Sequence, residues 1–376
     1  MKNLKTLVIF IGASFMLLVG ILLCVNEQEI IKLNSRLERL ERYTYNKESI
    51  VFLGDSITSR CDLDKYFPNY NVYNSGIAGN MTKDILDNME NRVFVYNPTK
   101  VFILIGTNDL VYSGLDNDGI KNNIEEILSD DTIDGAVVTH GTDTLDETAY
   151  FLTLTLNTPK PVVLTGAMRP ATATSADGPF NLYQAICLAC HGESYNRGVL
   201  ALFSNTIYSG RDIEKVNNFK IDAFDQRSLG CLGYMQDQEV YFYTQTSKIH
   251  TIKSRFNKRI DSIKSVAIAF YYSGADAKIL YDLASDHEGI VIAGSGSGNY
   301  SQAWLKAIEE LSEKGTIFVR SSRISQGIVF DDEIFDPHHL CISSNTLSPQ
   351  KARVLLMLAL TQTHDRDEIK EIFLQY

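Results

Sequence analysis

Short apolar runs alternate with longer amphipathic stretches from Ile50 to the end of the chain, and this alternation constrains the fold more than any other feature. Runs that are apolar throughout and bounded by turn residues are typical of strands buried on both faces of a parallel sheet. The stretches between them have the spacing of helices, which would cover the sheet. The sequence therefore predicts an α/β fold, with a three-layer parallel-sheet N-terminal domain and a smaller α/β C-terminal domain.

The predicted elements follow from this alternation. We expect strands at Ile50–Leu53, Tyr70–Tyr73, Val101–Ile105, Ala136–Thr139, Pro161–Leu164, Val199–Phe203, Val266–Tyr271, Gly289–Ala293 and Thr316–Val319. We expect helices at Thr82–Glu90, Gly119–Leu128, Glu147–Leu156, Pro349–Thr361 and Arg366–Leu374. The polar segment Thr244–Ser262 is predicted to link the two domains.

The N-terminus carries an uncharged run of twenty residues, Thr6–Val25, preceded by Lys2 and Lys5. At about 1.5 Å per residue a helix of this length spans roughly 30 Å, the thickness of the hydrocarbon layer. The flanking lysines favour a cytoplasmic N-terminus, and a cleaved signal peptide is the alternative. We expect residues 1–26 to form a membrane anchor and residues 27–48 a helical stalk, with the catalytic part extracytoplasmic.

Composition and charge exclude several classes of partner. The chain has 376 residues and a formal net charge of −11, and its sequence contains no block of lysine or arginine, so we expect no nucleic-acid partner. The string Cys187-Leu188-Ala189-Cys190-His191 has the spacing of a haem-attachment motif. Because it continues a stretch with a helical apolar face, we interpret it as part of a helix. We expect neither a cofactor nor a metal ion.

Polar motifs follow three of the early apolar runs. These motifs are Gly54-Asp55-Ser56-Ile57-Thr58, Asn74-Ser75-Gly76-Ile77-Ala78-Gly79 and Gly106-Thr107-Asn108-Asp109. Ligands of open α/β sheets bind beyond the carboxyl ends of the strands, where these motifs would lie. A serine hydroxyl at a helix start, with a glycine N–H and an asparagine amide nearby, is typical of a nucleophile with an oxyanion hole.

The three motifs resemble the opening of an SGNH (GDSL-type) esterase over about residues 49–128. The resemblance implies that Ser56 is a nucleophile and that Gly79 and Asn108 donate hydrogen bonds to an oxyanion. Such a serine also needs a general base, which that family takes from a late D-x-x-H element. A late string of this form, Asp336-Pro337-His338-His339, lies in the predicted C-terminal domain, and we interpret it as a surface turn.

A second set of motifs begins at residue 134. It comprises DGAVVTHGTDT (Asp134–Thr144), GAMRPATATSADGP (Gly166–Pro179) and NTLSPQKARVLLMLALTQT (Asn345–Thr363). These motifs resemble the bacterial L-asparaginase family over about residues 129–376, with domains at 129–262 and 263–376. The resemblance implies a hydrolase that cleaves the side-chain amide of asparagine or glutamine.

The same resemblance assigns catalytic residues. Thr142, Asp143 and Lys215 match one of the two catalytic groups of the family, and Gly141 is implied to bind substrate. A threonine hydroxyl beside a carboxylate, with a lysine brought near, can activate a nucleophile or water at neutral pH.

Two residues of the predicted C-terminal domain are also assigned by the resemblance. Asn299 and Glu333 match residues that reach the active site of a neighbouring subunit. We therefore expect a homo-oligomer, either a dimer or a tetramer.

The N-terminal part of the asparaginase pattern has no counterpart in this sequence. That family opens with a TGGTIAG-like loop carrying the primary threonine nucleophile, followed by a tyrosine lid and a Ser-Gln pair that binds the substrate. The esterase-like segment occupies their place, so we interpret the chain as a chimera that switches within Asn122–Asp130. We expect an asparaginase activity that is impaired by this loss.

Ser56 could compensate in part. It follows the first predicted strand, the place where asparaginases carry the nucleophile loop, so we hypothesise that Ser56 or Thr58 reaches the Thr142 group. Two alternatives stay open: an SGNH-type esterase that uses Ser56, and an inactive anchored protein.

Overall fold

The structure, a computed structural model, describes residues 49–54, 56–59, 62–68, 70–96, 98, 100–104, 117–129, 133–170, 172–226, 229–258, 262–334 and 336–376. The strands are β1 (Ile50–Gly54), β2 (Val72–Gly76), β3 (Lys100–Leu104), β4 (Ala136–Thr139), β5 (Val162–Thr165), β6 (Val199–Phe203), β7 (Thr206–Ser209), β8 (Glu214–Lys215), β9 (Phe224–Asp225), β10 (Gly233–Gln236), β11 (Glu239–Phe242), β12 (Val266–Phe270), β13 (Gly289–Gly294), β14 (Ile317–Ser322) and β15 (Cys341–Ser343). The helices are α1 (Ser56–Ser59), α2 (Leu63–Tyr66), α3 (Thr82–Leu86), α4 (Met89–Arg92), α5 (Asn117–Leu128), α6 (Leu145–Thr155), α7 (Gly178–Cys190), α8 (Lys278–Ala284), α9 (Gln302–Ser312), α10 (Pro349–Ala359) and α11 (Arg366–Gln375).

Nine of these strands form one sheet in the order β11-β10-β7-β6-β5-β4-β3-β1-β2. Strands β1 to β6 pair in parallel, whereas β7, β10 and β11 are antiparallel. The prediction of a wholly parallel N-terminal sheet is therefore wrong at one edge. The reason lies in the turn between β6 and β7, where Ser204 and Asn205 have φ values of 47° and 65°. Two left-handed residues close a tight hairpin, which returns the chain antiparallel.

The second sheet is parallel throughout, in the order β12-β13-β14-β15. The chain leaves the large sheet at Phe242 and enters the small one at Val266, and the segment Thr244–Ser262 lies between these two points. The predictions for β4 and β6 are confirmed to the residue. The predicted strand Tyr70–Tyr73 lies later, at Val72–Gly76, and the predicted helix Thr82–Glu90 consists of two short helices, α3 and α4.

Alternation of side chains along the strands builds a core on each face of the large sheet. On β6, Val199, Ala201 and Phe203 join one cluster of buried side chains, and Leu200 and Leu202 join another. Successive residues of a strand point to opposite faces, so a run that is apolar throughout fills both. The first cluster continues through α6 and α10 into one face of the small sheet, so the two sheets share a core.

The segment before residue 129 shares this core as well. Val51 and Leu53 of β1 belong to the same cluster as Val138 of β4 and Leu152 of α6. Helix α5 contributes Ile127 to that cluster, and its terminal carbonyl, at Leu128, accepts a hydrogen bond of 2.8 Å from the Lys160 ammonium. The two halves of the sequence therefore form one packed unit at this junction.

The membrane prediction needs correction. Within the residues that the structure describes, no helix has both the length and the apolar character needed to cross a bilayer. The predicted anchor and stalk, residues 1–48, lie outside the described residues.

Helix α5 provides a test of the shared core. We expect Ile127→Ala to lower the free energy of unfolding by about 2–5 kcal/mol, because a buried isoleucine would be replaced by a cavity. Urea unfolding followed by circular dichroism measures this loss. The matched control is Glu126→Ala, an exposed neighbour in the same helix, which should change stability little. Equal effects of the two substitutions would show that α5 does not pack into the core.

Candidate active site

The loop between β4 and α6 presents the first group of predicted site residues. Strand β4 ends at Thr139, and α6 begins at Leu145, so Gly141, Thr142 and Asp143 lie at the carboxyl end of a central strand. Gly141 is exposed, and a Cβ atom added there would meet no atom within 4 Å. Local packing therefore does not demand a glycine at this position, and the surface beside Thr142 is open.

Lys215 reaches this loop from a neighbouring hairpin. It ends β8, which pairs with β9, and Phe224 of β9 stacks on Phe203 at the end of β6 with ring centroids 4.2 Å apart. The Lys215 ammonium donates hydrogen bonds to Thr142 Oγ1 at 2.8 Å and to Asp143 Oδ1 at 2.6 Å. The structure thus brings together the three residues that the sequence assigned to a catalytic group.

The electrostatics of this contact are asymmetric. The side chain of Lys215 is 16% exposed and that of Asp143 is 93% exposed. Hydrogen bonding from the Lys215 ammonium, together with its charge, lowers the pKa of the Asp143 carboxyl below its ordinary value. The carboxylate is therefore ionised at neutral pH and offsets the positive charge beside Thr142. A hydroxyl held by a lysine in this way can pass a proton to the amine form of that lysine.

His140 fixes the shape of the loop, a role that the sequence did not indicate. Burial lowers the pKa of its imidazole, which is therefore neutral at pH 7. Its Nδ1 lies 2.7 Å from the carbonyl oxygen of Gly141, so Nδ1 carries the proton and donates it. Nε2 then accepts the hydroxyl of Thr148, 3.1 Å away on α6. The imidazole thus ties the Gly141 peptide to the first turns of that helix.

The esterase-like motifs lie at a different place in the sheet. Ser56 begins α1 directly after β1, but β3 lies between β1 and β4. Neighbouring strands are about 4.8 Å apart, so the ends of β1 and β4 are separated by about 10 Å. The strand order places Ser56 two strands from the Thr142 loop, and the hypothesis that Ser56 or Thr58 reaches this loop stays a prediction. Asn108 lies outside the described residues.

The backbone of Thr58 contacts the end of the edge strand β2. Its side chain is buried, and its carbonyl oxygen accepts a hydrogen bond of 2.8 Å from the Asn74 side chain at the end of β2. Because β2 is the edge strand beyond β1, this contact points away from β4. Gly79 is exposed with a φ of 87°, which favours glycine, and a Cβ atom there would meet nothing within 4 Å.

The string Asp336-Pro337-His338-His339 lies just before β15 and binds backbone N–H groups where that strand begins. Both carboxylate oxygens of the buried Asp336 accept backbone N–H groups, from Leu340 at 3.0 Å and Cys341 at 2.7 Å. His338 lies 3.2 Å from a carboxylate oxygen of Glu309 on α9. The interpretation as a turn is confirmed, and these residues hold the start of β15.

Two loops of the small sheet carry Asn299 and Glu333. Asn299 follows β13, and its buried Oδ1 has no hydrogen-bond partner. Glu333 is 82% exposed and lies 3.6 Å from Nε2 of His339. The buried Arg320 of β14 donates to the carbonyl oxygens of both loops, to Ser297 at 2.7 Å and to Phe330. One cation therefore holds the two loops side by side.

Comparison with known proteins agrees with this geometry. The family model described as "Asparaginase, N-terminal" matches residues 80–248, and the one described as "Glutaminase/Asparaginase C-terminal domain" matches residues 265–373. L-asparaginase 2 of Escherichia coli is 43% identical over 251 residues, which cover 65% of this chain and 72% of that protein. The chain belongs to the asparaginase family. The prediction of an asparaginase-type hydrolase is confirmed.

Other relatives extend the comparison. Glutaminase-asparaginase of Pseudomonas fluorescens is 38% identical over 257 residues, which cover 67% of this chain and 71% of that protein. The crystal structure of a probable cytoplasmic L-asparaginase from Campylobacter jejuni superposes with a TM-score of 0.69 and 35% identity, covering 88% of this chain and all of that one. The prediction of a membrane-anchored protein with an extracytoplasmic catalytic part is corrected by the finding that none of the helices in the described residues could span a membrane.

The match to the asparaginase N-terminal model begins at residue 80. It therefore extends into residues 49–128, which the sequence motifs had assigned to an esterase-like segment.

The contact between Lys215 and Asp143 predicts a titration change. We expect Lys215→Met to raise the pKa of the Asp143 carboxyl toward its ordinary value, because the hydrogen bond and the positive charge that lower it would be lost. The pairing is present above the ordinary carboxyl pKa and is lost as the pH falls through the lowered value. Carbon NMR of the labelled carboxyl measures the shift, with the exposed Lys220→Met as the control. An unchanged Asp143 titration in Lys215→Met would contradict the contact.

Proposed function

We propose that this protein hydrolyses the side-chain amide of L-asparagine, giving L-aspartate and ammonia. The single observation that supports this proposal is the position of the Lys215 ammonium, within hydrogen-bonding distance of both Thr142 and Asp143. L-Glutamine is the second substrate to test, because relatives named glutaminase-asparaginase are 38% identical to the chain.

In the proposed mechanism the three residues move a proton. The Lys215 ammonium first loses one proton to solvent, and the resulting amine accepts the proton of the Thr142 hydroxyl, while that hydroxyl takes a proton from the water that attacks the amide carbon. The C–N bond then breaks, and the proton returns through Thr142 to the nitrogen, which leaves as ammonia. The ionised Asp143 stabilises Lys215 while the lysine carries the extra proton.

We propose further that this activity is weak. The sequence has no TGGTIAG-like loop, so the primary threonine of the family is missing, and an esterase-like segment stands in its place. For the esterase alternative, the D-x-x-H string offers no support, since Asp336 is used to cap β15.

Ammonia release from L-asparagine by the purified protein tests the catalytic assignment. We expect a turnover well below the ~1–10³ s⁻¹ of ordinary enzymes, because one catalytic group is missing. Thr142→Val and Lys215→Met should each lower the remaining rate by about 10²–10⁴-fold, the usual contribution of a proton-transfer group. Lys220→Met, in the same loop region, should leave the rate unchanged.

Ser56→Ala distinguishes the remaining possibilities. An unchanged rate of ammonia release in this variant would rule out a hybrid site that includes Ser56. A fall in that rate would establish a hybrid site that includes Ser56. Hydrolysis of p-nitrophenyl acetate that is lost in Ser56→Ala, with no release of ammonia by the unmodified protein, would replace the proposal by the esterase alternative.

We propose that the active unit is a dimer or tetramer in which Asn299 and Glu333 serve the site of a neighbouring subunit. The high exposure of Glu333 supports this proposal, because its carboxylate could bind groups supplied from outside the chain.

Mixing of subunits tests this arrangement. Thr142→Val and Glu333→Ala should each be nearly inactive alone, since each would lack one component of every site. Co-expressed, they should recover part of the activity, because some sites would combine an intact Thr142 with an intact Glu333 of the other subunit. Light scattering that shows monomers, or mixed subunits that stay as inactive as the separate variants, would contradict a shared site.

A further inference from the structure

A buried lysine of the small domain contacts the turn that carries Lys215. Lys351 lies in the first turn of α10, and its side chain is 3% exposed. Its ammonium group donates hydrogen bonds to the carbonyl oxygens of Arg211, at 2.7 Å, and Ile213. Lys215 lies two residues after Ile213, so the carbonyl that Lys351 binds belongs to the same short backbone segment as Lys215.

The rest of this turn is also held from both sides. The N–H groups of Asp212 and Ile213 donate to the carbonyl oxygen of Ser209 at 3.0 Å, which continues the chain from β7. The Arg211 guanidinium donates to the carbonyl oxygen of Tyr376, the last residue, and at 3.0 Å to Thr346 Oγ1. These contacts fix the turn between the large sheet and the small domain.

Lys351 is costly to bury, which argues that it is not a packing residue alone. Burial lowers the pKa of its ammonium group to about 8, despite the nearby carboxylates of Asp146, Asp212 and Glu214. An apolar side chain of similar length would fill the same space without that desolvation cost. The lysine instead satisfies two carbonyl groups that would be left unpaired in the interior.

We propose that Lys351 is a positioning residue, which fixes the Arg211–Ile213 turn and thereby places the Lys215 ammonium against Thr142 and Asp143. The catalytic part of this inference rests on the proposed function, whereas the structural part does not. Within one chain, the small domain would then have to pack against the large sheet before Lys215 could contact Thr142 and Asp143.

Chemical labelling tests the positioning without any need for activity. Acetylation of Lys215 by N-hydroxysuccinimide acetate, followed peptide by peptide with mass spectrometry, should be several-fold faster in Lys351→Met than in the unmodified protein. Lys351→Arg keeps donors for the carbonyl groups and should restore slow labelling. Lys121→Met, the matched control, removes a buried lysine that contacts Glu125 and the Lys258 carbonyl, and should leave Lys215 labelling unchanged.

Kinetics of the same variants test the catalytic part. Lys351→Met should lower kcat by about 10- to 100-fold with a smaller change in KM, as expected when a catalytic group is misplaced by about 1 Å. Added to Lys215→Met, it should cause no further loss, because it acts through that lysine. A full additional loss in the double variant would overturn the positioning role.

The unmodified protein provides a test that does not depend on the folding of a variant. As urea is raised, Lys215 labelling should increase together with amide hydrogen exchange of α10. Slow Lys215 labelling after α10 has exchanged, or slow labelling in folded Lys351→Met, would overturn the inference whatever the activity. Faster labelling in a protein that releases no ammonia would support the positioning and refute the proposed function instead.

Discussion

The turn from Gly210 to Lys215 connects the two parts of the candidate site. At one end Arg211 binds groups of the small domain, and at the other end Lys215 binds Thr142 and Asp143 beyond β4. Because only a few residues separate Arg211 from Lys215, a shift of the turn that breaks the contacts of one would also displace the other. The geometry of the site therefore depends on the packing of the small domain against the large sheet, through the core that α6 and α10 share.

The order of the sheet shows how the first strands of the chain are joined to the strands that carry the candidate site. The hydrogen bonds between parallel strands join backbone groups and do not depend on which side chains the strands carry. Strands of different sequence can therefore pair beside β4. Strands β1 to β3 join the sheet, and β1 shares the core around Leu53 and Val138. The first strands and the rest of the chain are therefore continuous in both the sheet and the core.

Local sequence pattern was enough for the central strands but not for their neighbours. Strands β4 and β6 are uninterrupted apolar runs and were predicted to the residue, whereas the hairpin after Phe203 turns through Ser204 and Asn205, a weak signal without glycine. The local sequence does not predict which strand lies next to β4, because crossover connections can skip positions in a sheet. The contact between Lys215 and Thr142, which are 73 residues apart, was predicted from the family resemblance alone, because a lysine in a polar loop is ordinarily solvated. The burial of Lys351 could not be predicted from the sequence, because the residues around it have the pattern of an ordinary helix surface.

The central claim is that amide hydrolysis takes place at the Thr142 loop and not at the front motif. A crystal structure of the protein with L-aspartate, the proposed product, tests this most directly. The account predicts the side-chain carboxylate of the ligand within hydrogen-bonding distance of Thr142 Oγ1 and close to the Lys215 ammonium. Density for L-aspartate beside Ser56, with an empty Thr142 loop, would contradict it.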